Sequence, residues 1–273
     1  MALLVALIVG GLLAIKGFTH GWGVAIAVGL GAGVAVGVRV VNGSWPKWSA
    51  TGSVAWLFWI APFVGVVIGL ISLPKLPRTM YAVLVFIIGF FSAYCLLKFR
   101  FRPGGWDDRT GLLWLIGIAH VIVVWQWMLS RIAERRGPVA MHVTTLAVGL
   151  CAAILLTITD SLARGRFAGA VVGCAAAGVV VSLIFRRRPL APGFPTAFSV
   201  FTVLLVGLSV AGAYMSPLSA TLLLSSPVLA ALCDVGGLGR ITGWKHLLLR
   251  LTVTLVPPGL AIAMALPAFL KSI

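Results

Sequence analysis

The residues able to do chemistry are few, so their positions carry unusual weight. His120 lies near the middle of the apolar run LIGIAHVIVVW. There an imidazole could line a polar path, relay a proton or ligate a haem iron, or it could simply bond a neighbouring backbone carbonyl. Asp160 closes another apolar run in TITDSLARGR, close to Arg164 and Arg166. It is the best carboxylate for cation coupling, and an interfacial ion pair or a helix-end cap explains it equally well. Pro62, Pro227 and Pro257, the last followed by Pro258, fall inside apolar runs. Each could break a helix and free backbone groups for a solute, or only kink it.

Other candidates fall away. Haem ligation by two histidines needs a partner for His120 at mid-membrane depth, whereas His142 and His246 fall at run ends and His20 in a loop. Cys95, Cys151, Cys174 and Cys233 form no CxxC pair and read as small apolar core residues. The sequence holds no HExxH, GxSxG or GxxxxGK[ST] motif, and its Ser72-Leu73-Pro74-Lys75 match to SxxK contains a proline that would break the helix. With five acidic residues in 273, there is little to bind a metal or to do acid–base work. The expectation is therefore no enzyme, no metal and no cofactor.

These residues are embedded in a chain that is 61% hydrophobic and 10% charged, with a mean hydropathy of +1.13. A soluble domain carries about 25% charged residues, and disorder requires low hydrophobicity. Both classes are excluded. The 21 basic residues give a formal charge of +16, but they sit in short gaps between apolar runs. That placement suits anionic lipid headgroups rather than nucleic acid.

The fold class is accordingly all-α: a polytopic transmembrane helical bundle of about ten spans. They are predicted near 2–15, 22–41, 53–73, 79–97, 111–129, 139–159, 165–185, 196–216, 217–233 and 247–270. Pro, Gly and basic residues mark the gaps, as in Arg135-Arg136-Gly137-Pro138, and Trp residues gather near predicted ends. The first run follows Met1 without a basic leader and reads as a retained span. A bacterial inner membrane is the expected location.

An internal repeat organises the spans. ALIVGGLLAI (6–15) aligns with TLAVGLCAAI (145–154), and GGWDDRTG (104–111) with GGLGRITG (236–243). Between them the small-residue spacing Ala25, Gly29, Gly33, Gly37 answers Gly165, Gly169, Gly173, Ala177, and Cys95 answers Cys233. The matches keep their order along the chain, which favours duplication into halves 1–137 and 138–273. Five spans per half would set the second half upside down.

Spacing of four also places the small residues on stripes, including Ala61, Gly65 and Gly69 on the third span. Such stripes predict close helix packing, and leucine at Gly33 or Gly173 is expected to disrupt the fold. The span count and compactness resemble those of the drug/metabolite transporter superfamily, a likeness of architecture that rests on no shared motif. Two functions follow as expectations. One is a small-molecule or lipid transporter or facilitator. The other is a non-catalytic structural subunit of a larger membrane complex; the partners expected are lipid headgroups at the basic loops and either a second copy of the chain or other subunits of such a complex.

Overall fold

The computed structural model describes residues 31–32, 39, 53–71, 76–101, 105–160, 162–184, 193–235 and 243–271. Among them 91% are helical and none is in a strand. Lipid offers backbone groups no partner, so apolar runs close their hydrogen bonds within helices. Among the described residues from 53 onward, eight helices follow in order: α1 (Ser53–Ile71), α2 (Arg78–Leu97), α3 (Asp108–Arg136), α4 (Pro138–Thr159), α5 (Leu162–Ile184), α6 (Gly193–Ala211), α7 (Pro217–Leu232) and α8 (Gly243–Leu270). A short 3-10 turn, Lys98–Phe101, follows α2. Among the described residues five stretches are long and apolar enough to cross a membrane: α2 with its 3-10 turn, α3, α4, α6 and α8. They point to a membrane protein. The apolar stretches found in α1, α5 and α7 are shorter, and the predicted spans 2–15 and 22–41 lie almost wholly outside the described residues.

Predicted ends agree with observed ones within a few residues, with two instructive departures. The span predicted over 111–129 runs on as helix to Arg136, because Arg135 and Arg136 in the last turn suit the negative helix end. It stops at Gly137, whose φ of +87° disfavours any side chain, and Pro138 then starts α4. The span predicted over 196–216 ends at Ala211 instead. A turn follows in which Ala213 takes a φ of +62°, and the Ser216 hydroxyl caps α7 by accepting from the Ser219 N–H at 3.1 Å.

At the start of α3, Asp107 lies in the loop. The Thr110 hydroxyl and backbone N–H hold its carboxyl below the usual carboxylate range. This capping favours the charged form, as expected at a helix N-terminus.

The chain divides into two compact units, Met1–Val124 with Leu190–Leu204, and Trp125–Pro189 with Leu205–Ile273. In the first, α1 packs on α2, and Gly89 lets α2 approach α3 at Ala119 and Ile122. The Tyr81 and Thr196 hydroxyls join α2 to α6 at 2.7 Å. In the second, α4 and α5 form the closest-packed pair, and α8 lies against α4 and α7.

The small-residue stripes are only partly contact surfaces. Ala25, Gly29, Gly33 and Gly37 lie outside the described residues, as does the side chain of Ala177. Gly31 makes a close approach on that segment, abutting the Ala61 carbonyl, and Gly65 and Gly69 are buried on α1. On α5 the stripe behaves unevenly. A methyl group at Gly165 would run into Thr157 of α4, whereas one at Gly169 or Gly173 would meet nothing within 4 Å among the described residues. Gly178, off the stripe, abuts the ring of the fully buried His142.

The expected disruption at Gly173 therefore does not extend to a methyl group there. Gly165→Ala should cost about 1–3 kcal/mol through overpacking. Gly173→Ala should be neutral or stabilising by up to about 1 kcal/mol, since alanine favours a helix interior over glycine. Melting temperatures of the two variants in mild detergent check the contrast. A loss at Gly173 equal to that at Gly165 would contradict the packing.

Candidate functional site

The strongest concentration of buried charge centres on Asp234. Its carboxylate follows the end of α7 and is only 3% exposed. A negative charge at a helix C-terminus is unfavourable, so the position requires cations; two arginines supply them and a histidine adds a hydrogen bond. Arg250 Nη2 donates to Asp234 Oδ1 at 2.6 Å, and Arg136 Nε donates to the same oxygen at 2.8 Å. His246 Nε2 lies 3.3 Å from that oxygen and 3.1 Å from the Cys233 carbonyl. Both neighbours are acceptors, so Nε2 carries a proton. Arg135 adds a bond from Nη1 to the Asp234 backbone carbonyl at 2.9 Å.

Local structure explains how these groups meet. The Gly137 turn places Arg135 and Arg136 at the foot of α3. His246 and Arg250, four residues apart, share one face of α8. Two guanidinium groups and the His246 imidazole converge on Oδ1, while among the described residues the buried Oδ2 and the buried Arg250 Nε have no hydrogen-bond partner. The centre is thus cationic overall and holds one unused acceptor and one unused donor in a setting where each is costly.

A second centre forms around Asp160, at the other end of α4. Arg164 Nη1 and Ser209 Oγ both donate to Asp160 Oδ2, the latter at 2.6 Å. The Arg164 guanidinium also lies over the Tyr214 ring, 4.9 Å from its centroid. Carboxylate and guanidinium are both largely buried. The 22 residues of α4 separate the two centres by roughly 33 Å at 1.5 Å per residue. That is close to the ~30 Å thickness of a hydrocarbon core.

The remaining sequence candidates lie on α1, α3, α7 and α8. His120 is exposed on α3, where Nδ1 lies 2.9 Å from the Ile116 carbonyl and the ring meets Phe86 edge-on at 5.1 Å. Pro62, Pro227 and Pro257 all lie within continuous helices. Pro62 is half-buried on α1, whereas Pro227, Pro257 and Pro258 are buried. At Pro227 the weakened hydrogen-bond ladder is supported from outside. The buried Trp125 indole donates to the Leu224 carbonyl at 2.8 Å, tying α3 to α7 one turn before the proline.

Sequence reasoning missed the Asp234 centre. Arg136 read as span-end punctuation and His246 as a span-end residue. The available signal was Arg250, a charge inside an otherwise apolar run and one turn after a histidine. Comparison with protein-family models, with curated proteins and with solved structures finds no match.

Proposed function

We propose that the chain is a transporter or facilitator for a small molecule or lipid in a bacterial inner membrane. In this reading about ten spans form two inverted five-span halves, 1–137 and 138–273. The observation that carries it is the pair of buried carboxylate–arginine centres at opposite ends of α4. Buried charge in a membrane protein is costly and marks functional elements. Contacts near each membrane surface are what alternating access would open and close by turns. Helix lengths support the repeat: α1, α2 and α3 have 19, 20 and 29 residues, and α6, α7 and α8 have 19, 16 and 28 in the same order.

The test is flux in vesicles containing the purified full chain. Transbilayer movement of a fluorescent phospholipid and efflux of an entrapped amphiphilic dye are measured against protein-free vesicles. Movement of either probe above that background is expected, with a rate altered at least severalfold by Asp234→Asn. Background rates for both probes would defeat transport.

A second reading is favoured by α8, only 22% of whose apolar window is buried and which exposes Leu255, Val256, Leu260 and Met264. A helix so open on its apolar side suits a non-catalytic subunit of a larger membrane complex. Stable co-migration with other membrane proteins on native gels supports it, and migration as a lone monomer opposes it.

A further inference from the structure

A separate feature lies within the first unit. Between α1 and α2 runs a groove of about 370 Å³. Phe63, Ile87 and Phe91 form exposed walls, and Val64 and Ser92 a buried floor. Its lining is apolar apart from Ser92 and Cys95. Cys95 marks one end of the groove along α2, and the helix passes directly into the 3-10 turn Lys98–Phe101.

That end carries the marks of a membrane–water interface. Tyr94, Phe101, Trp106 and Trp114 form a chain of ring contacts, with Phe101–Trp106 centroids at 6.5 Å and Trp106–Trp114 at 5.2 Å. The Arg100 guanidinium lies over the Phe99 and Trp106 rings. Aromatic and basic side chains clustered at a helix end are what the headgroup layer selects. From Lys98 to Ile87 is roughly 16 Å of helix, or about half of a 30 Å hydrocarbon core. The groove therefore runs from headgroup depth to the bilayer centre.

We propose that this groove binds one acyl chain of an anionic glycerophospholipid, whose phosphate meets Lys98 and Arg100. Depth and apolar lining select an acyl chain. Two cations within three residues select negative charge, at about fivefold in affinity for each. The inference does not depend on transport, because a bound lipid can be purely structural and binding is read without flux.

The full chain is reconstituted in phosphatidylcholine vesicles containing traces of phosphatidylglycerol or phosphatidylcholine with a photoreactive acyl chain, and adducts are mapped by mass spectrometry. Phosphatidylglycerol should label 63–67 and 87–95 at least severalfold more than phosphatidylcholine. The excess should disappear in the Lys98→Gln/Arg100→Gln double variant, with phosphatidylcholine labelling retained. It should also shrink for the native chain in 1 M salt, where the screening length is ~3 Å. Equal labelling by the two lipids overturns the proposal. So does a phosphatidylglycerol excess spread equally over Leu255, Val256 and Leu260 of α8, or one that survives both the double substitution and high salt.

Discussion

Asp234→Ala is expected to cost about 3–5 kcal/mol, the range for leaving buried charge without its partner. The loss should show as a large drop in melting temperature in mild detergent, followed by tryptophan fluorescence. The size of the effect comes from the cations, not from the aspartate alone. Arg250 is 1% exposed, and Arg136 shares its oxygen. Removing the carboxylate leaves two guanidinium groups facing each other across the vacated position, where the effective dielectric is far below that of water. Asp234→Asn should be milder, because the amide oxygen still accepts a hydrogen bond while the charge is lost.

Adding Arg250→Met to Asp234→Ala should recover much of the stability, since methionine fills an apolar site without needing a counter-charge. Flux supplies a separate readout. If the centre only holds three helix ends together, the recovered double variant should move solute as the native chain does. If it opens and closes during transport, stability should return and flux should not.

How far these features could be read in advance depended on scale. Helix positions were legible because the membrane imposes a length and an apolar content that each run displays individually. The extension of α3 to Arg136 was not, because Ser130–Arg136 is polar and remains helical beyond the apolar run. Packing was legible in part. Spacing of four puts Gly165, Gly169 and Gly173 on one stripe, but a stripe cannot say which of its members meets a neighbour: a methyl group at Gly165 would meet Thr157, and one at Gly169 or Gly173 nothing within 4 Å among the described residues. The charged centre was least legible. Asp234 meets Arg136 from 98 residues away in sequence, a pairing that only the packing of the ends of α3 and α7 creates. His120 shows the converse case. Its mid-span position drew attention, while its nearest partner is a backbone carbonyl one turn away.

Asp160 offers the second large effect and a sharper test of what such centres do. It terminates α4, where its charge opposes the helix dipole, and precedes α5, whose positive end favours it. Arg164 stands in the opposite situation in the first turn of α5, so each residue offsets the other's unfavourable placement. Asp160→Ala should therefore cost about 3–5 kcal/mol, because Arg164 is only 9% exposed and loses its carboxylate. Asp160→Asn keeps an acceptor for the Ser209 hydroxyl, yet it should still lose a large part of that amount because charge, more than shape, is being matched. The face of Tyr214 can hold the guanidinium, but a cation–π contact supplies only about 0.5–2 kcal/mol. Asp160→Ala combined with Arg164→Met should return most of the stability. Should Asp160→Asn melt with the native protein, hydrogen bonding rather than charge would be what joins α4, α5 and α6 at this end, and an ion-pair gate there would be untenable.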